Sequence, residues 1–248
     1  MNSPARDSAG HAARPGLVAQ LATLGEYFAI PPQDDGEWRT LPGLLNEVTL
    51  RGFVDRTRTA IAAASRCQPG EIPLRLAASS FQLGITARLL SPAVGAASCF
   101  DAVPLLGPDS LTWRPTPKPF PQFAAPHIDW ADGPTPARAA ELIKDSLLRG
   151  VLGPLNDTLD RLLSLPPQVS WGNVISAANG AVTVLSMSQP HRESAGRELV
   201  RALLDIEPLA GTATYTQGRF VRRSCCLFYQ APRAGLCGDC VLGSAPDA

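Results

Sequence analysis

Apolar positions along this chain recur mostly at helical spacing. Leu17 to Phe28 carries a weak helical period and ends in a breaker cluster, Pro31-Pro32-Gln33-Asp34-Asp35-Gly36. A second helical region follows from about Leu44 to Arg66. Glu71-Ile72-Pro73 opens a third, with Pro73 acceptable in a first turn. There Phe81, Ile85 and Leu89 form an apolar stripe at four-residue spacing. Arg75, Ser79, Gln82 and Thr86 fall on another face, which the amphipathic pattern assigns to solvent. The alternative for that face is the polar wall of a ligand pocket. Pro92 and Gly95 are expected to disturb the end of the helix.

The period changes between about Asp101 and Asp132. Ser110-Leu111-Thr112-Trp113-Arg114 alternates as a strand with one buried face would. Pro115, Pro117, Pro119 and Pro121 then forbid helix, and Phe123 to Trp130 reads as a second strand, giving one short hairpin near residues 109–130. Thr135-Pro136 is an N-cap followed by a first-turn proline, and Asp145 and Arg149 lie one turn apart on the helix behind it. Gly150, Gly153 and Pro154 are expected to break that helix before a new one marked by Leu155, Leu159 and Leu162. Trp171 to about Ser188 follows, with Val174, Ala178, Val182 and Leu185 along one side and small residues elsewhere, which predicts burial on most faces. Arg192 to Asp205 is the last and most charged helix, with Arg201 set to pair with Asp205.

The fold class expected is therefore mainly α (α+β): a helical body, a small inserted β-hairpin and a loop-rich C-terminal segment. The boundaries read as a disordered tail at 1–16, a body at 17–213 and the C-terminal segment at 214–248. Composition narrows the function classes. Lys+Arg and Asp+Glu balance at 22 each, which removes any global electrostatic argument for nucleic acid. The first sixteen residues hold no apolar run suited to a signal peptide. The uncharged stretch Leu162 to Pro190 is interrupted by prolines, Asn173 and Gly180, so a buried helix suits it better than a membrane span. A cytoplasmic protein with reduced cysteines is the expectation.

Cysteine placement changes the picture most. Cys67 and Cys99 stand alone among small and apolar residues and read as core filler. Cys225, Cys226, Cys237 and Cys240 crowd into sixteen positions with the spacing C-C-x10-C-x2-C. Four thiolates gathered by one short loop make a metal site, since unliganded they would repel and oxidise. Gly238 would permit the tight turn of the Cys237–Cys240 knuckle. Leu227, Phe228 and Leu236 could shield one side. Structural zinc usually pairs two spaced knuckles, whereas the vicinal Cys225-Cys226 pair points its side chains apart. That geometry leans toward a 2Fe-2S cluster, which spreads four thiolates over two metals, with zinc left open. A disulfide framework is the weakest reading, because a vicinal bridge is strained. Arg219, Arg222, Arg223 and Arg233 outnumber Asp239 here, so Arg222 and Arg223 join Gly238 as the expected cluster environment.

These residues resemble the C-terminal signature of the FhuF-like ferric siderophore reductases. The chain reads Arg223-Ser224-Cys225-Cys226-Leu227-Phe228-Tyr229, then Leu236-Cys237-Gly238-Asp239-Cys240. Trp171-Gly172-Asn173 and, more loosely, Ala77-Ala78-Ser79-Ser80 leading to Ala87-Arg88-Leu89-Leu90-Ser91-Pro92 are similar to further segments of that family. The resemblance implies a cytoplasmic enzyme that reduces Fe(III) in a siderophore to Fe(II), with Arg88, Trp171 and Asn173 as candidates for binding the ferric complex. No GxGxxG or P-loop occurs, so electrons would come from a partner such as a ferredoxin or flavin-dependent reductase. Peripheral association with an inner-membrane transporter is a further expectation. The competing reading is a siderophore- or protein-binding module with a structural four-cysteine zinc site.

Overall fold

The computed structural model describes residues 15–216 and 218–244. Most of the tail expected at 1–16 lies outside these residues, and the first helix, α1, begins at Pro15 and runs to Thr23. Helices account for 58% of the structure, as the mainly α reading expects.

The centre is α4, Leu74–Phe100, which packs most extensively against α7, Pro167–Ser188, and also against α3, Glu47–Ser65, and α8, Glu193–Leu204. Local chemistry sets their ends. The Asn46 side chain accepts from the Val48 N–H and starts α3, while Arg66 in the left-handed region closes it. Pro73 caps α4 from outside the helix. By length and composition α4 could cross a membrane, but 61% of its most apolar window is buried inside the fold.

Two expectations about α4 fail. It runs on past Pro92 and Gly95 to Phe100. Gly95 serves packing instead: a Cβ there would stand 2.7 Å from the fully buried Phe28 ring. The supposed solvent face is interior, with Ser79, Gln82 and Thr86 all buried and only Arg75 exposed. Polar groups on α7 and on α6, Gly153–Leu163, explain why: Gln82 Nε2 donates to Asn156 Oδ1 at 2.9 Å and to the Ser170 carbonyl at 3.3 Å. These bonds satisfy part of the buried set, while Gln82 Oε1, Asn156 Nδ2 and Ser170 Oγ are buried without a partner.

The region of short strands is richer than one hairpin. After β1, Arg39–Thr40, and the single-turn helix α2, Leu41–Leu44, come β2, Ala102–Pro104, β3, Thr112–Arg114, β4, Gln122–Ala124, and β5, Trp130–Asp132. β3 does pair antiparallel with β4, joining Trp113 to Phe123, but β1 adds to its other side. The segment expected as one second strand splits, and β5 pairs with β2 in a separate ladder. Trp113 ties this layer to the helices, its ring edge-on to Phe53, which stacks on Phe81 of α4.

Thr135 caps α5, Pro136–Ile143, by accepting from the Arg138 N–H at 3.2 Å, and the exposed Asp145–Arg149 pair forms at 2.9 Å. The expected break at Gly150–Pro154 does not occur. A π-helical stretch, Lys144–Leu152, carries the chain directly into α6. The Gly153 N–H reaches back to the Leu148 carbonyl, so Pro154 falls in a first turn where its missing N–H costs nothing. On α8 the ion pair is Glu193–Arg197, and Arg201 lies over the Tyr215 ring rather than pairing with Asp205.

One large apolar cluster fills the body. A second, small one joins Ala62, Ile72 and Leu76 to Ala231, with Cys67, Leu227 and Ala234 at its edge. It seats the cysteine loop on α3 and the first turn of α4. Cys67 and Cys99 are both half-buried among apolar side chains, as filler would be.

Glycine substitutions separate helix propensity from packing. Gly52→Ala on the open face of α3 should gain about 1 kcal/mol, since nothing lies within 4 Å of its Cβ. Gly95→Ala should instead lose about 1–3 kcal/mol by overpacking Phe28. Urea denaturation of both variants measures the two signs.

Candidate metal centre

The cysteine loop hangs from a hairpin. β6, Ala213–Thr216, and β7, Arg219–Arg222, pair antiparallel, with Ala213 opposite Arg222. The Arg223 N–H continues the ladder to the Thr212 carbonyl at 2.9 Å, and the Arg222 N–H donates to the Asp239 carbonyl at 3.1 Å. One backbone position therefore holds the knuckle against β7. Within the knuckle the Cys240 N–H closes a turn on the Cys237 carbonyl at 3.1 Å.

The structure brings two of the expected cysteines into contact and keeps the other two near them. Cys226 Sγ lies 3.6 Å from Cys237 Sγ, and Cys225 sits within electrostatic reach of both Cys226 and Cys240. Two thiolates on one tetrahedral metal, with bonds of about 2.3 Å, stand roughly 3.8 Å apart. The Cys226–Cys237 spacing fits that edge. Among the described residues no three or more such side chains are gathered about a single ion. Cys226 and Cys240 are buried, while Cys225 and Cys237 are half-exposed, so the set has one edge toward solvent.

Burial pushes the Cys225 thiol up, reinforced by Cys226 and Cys240 and opposed by the Leu227 N–H and by Arg222. Burial also raises Cys237 strongly, with the Cys226 sulfur and the Asp239 carboxylate adding to it. Sulfurs so placed become thiolates only against a strongly positive centre, which is what a metal supplies. The Leu227 N–H donates to Cys225 Sγ at 3.3 Å, and Leu227 takes a left-handed φ of 69° to do so. Amide bonds of this kind are a lever on cluster potential.

Arg222 is 1% exposed, and its Nη2 donates to Asn173 Oδ1 at 2.7 Å. Asn173 Nδ2 donates to the Ser79 hydroxyl at 3.0 Å and to the Ser79 carbonyl at 3.1 Å. The Ser79 hydroxyl in turn donates to the Cys226 carbonyl at 2.8 Å. A buried polar chain thus runs from β7 through α7 and α4 to the vicinal pair. Ser176 adds a bond to the Asp239 carboxylate, and Arg219 Nη2 donates to the Gly238 carbonyl at 3.2 Å. Arg222 Nε and Ser224 Oγ are buried without a partner beside the cysteines. Two spare donors beside Cys225 suit an anionic cluster, whose thiolate and sulfide sulfurs accept hydrogen bonds.

Residues 222–242 match the family model described as the FhuF 2Fe-2S C-terminal domain. This stretch is similar to the FhuF-type 2Fe-2S segment. The matched residues contain all four clustered cysteines and both orphaned donors. No curated protein matches the chain.

With the matched segment in place, the other expected site residues sort plainly. Asn173 belongs to the support of the cysteines, as the hydrogen bonds above show. Trp171 is half-buried and packs partly on the main core. Arg88 is remote: its Nη1 bonds the Gly84 carbonyl and its guanidinium covers Phe120 at 4.2 Å. Nine residues separate it from Ser79, about 13 Å of helix. A cavity of about 940 Å³, lined in part by Ile30, Ala125, His127 and Trp130, also lies away from the cysteines, and no residue of the matched segment lines it. Gly238 is not sterically required, because a Cβ there would meet nothing and its φ is not left-handed. The positive φ falls on Leu227 and Arg233. Phe228 and Leu236 are exposed and shield less than expected; Leu227 is the inward one.

Gly172 is the residue that sequence reasoning passed over. A Cβ on it would sit 2.2 Å from Ser224 Oγ and 3.2 Å from Arg222 Nη2. Only glycine lets α7 and the strand leading to Cys225 approach this closely. Its neighbours in the quoted Trp-Gly-Asn segment were the available signal.

Gly172→Ala should cost about 1–3 kcal/mol. Adding Ser224→Ala should restore much of that loss, a coupling that equilibrium unfolding of the single and double variants reads directly. Asn173→Ala leaves the buried Arg222 without its acceptor and should cost about 2–3 kcal/mol in the same measurement.

Proposed function

We propose that this chain is a ferric-siderophore reductase, with Cys225, Cys226, Cys237 and Cys240 holding its 2Fe-2S cluster. The observation that carries the reading is the contact of Cys226 with Cys237 at tetrahedral-edge spacing within the matched segment, which also holds Cys225 and Cys240. A cluster of this type exchanges one electron at a time, which is the number that separates Fe(III) from Fe(II). Hard oxygen chelators hold ferric ion far more tightly than ferrous ion, so reduction is also release.

The chain's own residues do three things in this scheme. The cysteines supply the ligands. Arg222, kept in place by Asn173 and Ser79, offsets buried negative charge without exposing it to water. The half-exposed Cys225 and Cys237 place the centre near the surface, where an outside partner can exchange an electron with it. Residues 17–213 would be the body and 214–248 the cluster segment, in a cytoplasmic protein that draws electrons from a separate ferredoxin or flavin-dependent reductase. Docking on an inner-membrane transporter would place it where imported complexes arrive.

Chain purified without oxygen should hold about two iron and two sulfide per molecule. Its visible absorption should bleach on one-electron reduction and return when a ferric hydroxamate or catecholate complex is added. Cys237→Ser should lose most of that absorption. Zinc without sulfide would establish the structural-site alternative in place of the reductase.

A further inference from the structure

Large apolar side chains exposed to solvent are few among the described residues, and they are unevenly placed. Phe228, Tyr229, Leu236 and Leu242, 43–53% exposed, all lie in the fifteen residues from 228 to 242. The others, Tyr27, Val48, Leu74 and Met187, are scattered over the body. The approach of Cys226 to Cys237 draws Phe228 and Leu236 toward one rim, since Phe228 lies two residues beyond Cys226 and Leu236 immediately precedes Cys237. Leu236 also reaches toward the 241–244 turn, where a Cβ on Gly243 would meet its Cδ1 at 3.4 Å. Such a cluster beside a functional centre marks an interaction surface rather than chance exposure.

Within residues 222–242 the exposed charge has one sign. Arg223 and Arg233 are exposed, while the single acid of that stretch, Asp239, is half-buried and held by Ser176. Shape then separates the possible occupants. Small-molecule sites are concave, and the cavities at Ile30–Trp130 and beside Arg88 take no lining from this segment. Protruding aromatic and leucine side chains with basic residues at their border have instead the anatomy of a protein-docking face.

We propose that the apolar, Arg-bordered rim formed by Phe228, Tyr229, Leu236 and Leu242 with Arg223 and Arg233 docks an acidic one-electron carrier protein beside Cys225 and Cys237. The proposal rests on the 2Fe-2S reading above and adds to it a place and a charge for the donor. In the step it serves, the reduced carrier loses one electron and the centre gains one. No proton and no covalent bond is exchanged. The apolar side chains exclude water over the short path between the two centres, and the arginines orient an acidic surface before contact.

The experiment uses the full chain with its cluster and a reduced acidic 2Fe-2S ferredoxin as probe. Binding should weaken at least about tenfold when Arg223→Glu and Arg233→Glu are combined, and by a similar factor between low and high salt. Phe228→Ser with Leu236→Ser should weaken it without changing the salt dependence. Ferredoxin-driven bleaching should slow in parallel, while the oxidised spectrum shows that the cluster is still loaded. Unchanged ferredoxin affinity in both double variants would overturn the proposal. So would a basic carrier such as a cytochrome c binding equally well. If charge reversal slows reoxidation by a ferric chelate and spares ferredoxin, the face belongs to the chelate and the proposal fails. A chain that holds zinc and no sulfide defeats the underlying reading, an outcome the metal content distinguishes from failure of the docking face alone.

Discussion

Everything at this site depends on one buried hydrogen bond, from Arg222 Nη2 to Asn173 Oδ1 at 2.7 Å. A guanidinium that is 1% exposed is expensive to bury, and each of its neighbours reduces that cost in a different way. Asn173 accepts from it, and the cysteine sulfurs lie close enough for its charge to pull on Cys225. Because Asn173 spends its own amide protons on Ser79, and Ser79 spends its hydroxyl on the Cys226 carbonyl, the bond fixes three elements together. Neither α4 nor α7 can shift without loosening the vicinal pair.

That constraint explains features of the helices that look wasteful by themselves. α4 buries Ser79, Gln82 and Thr86 where leucine would give more apolar burial. Gln82 uses its place to cross-link α6 and α7 through Asn156 and the Ser170 carbonyl, and Ser79 uses its own to reach the cysteine loop. Gly172 gives up helix propensity so that Ser224 can pass within contact distance of α7. The helical body acts as a rigid wall against which a short, loop-rich segment is clamped. The backbone bond from Arg222 to Asp239 and the Ser176–Asp239 contact secure the far end of that segment. A metal site needs this, since thiolates on a loop hold a defined geometry only when the loop is pinned at both ends.

The same clamping leaves the outer side open. Leu227 and Ala231 turn inward to the small cluster with Ile72 and Leu76, whereas Phe228, Tyr229 and Leu236 remain outside. The loop thus has an anchored side and a bare side, with Cys225 and Cys237 between them. The division gives the site support from within and access from without.

Much of the fold was legible because helical period, capping and turn chemistry are local. Thr135 caps α5 as its type predicts, Pro73 stands one position outside the first turn expected for it, and α7 is buried as its small residues require. Pro92 and Pro154 misled, because a proline is a local signal that packing or a π-helical stretch can override. Four thiols within sixteen positions were evident from residue order alone, since a loop that short keeps them near one another whatever the body does. Only the tertiary structure decided which polar residues serve them. Ser79 and Cys226 are 147 positions apart, Asn173 and Ser79 are 94, and Arg222 and Asn173 are 49. A buried hydrogen bond across such separations leaves no periodic trace. It forms because packing excludes water and leaves each group no other partner.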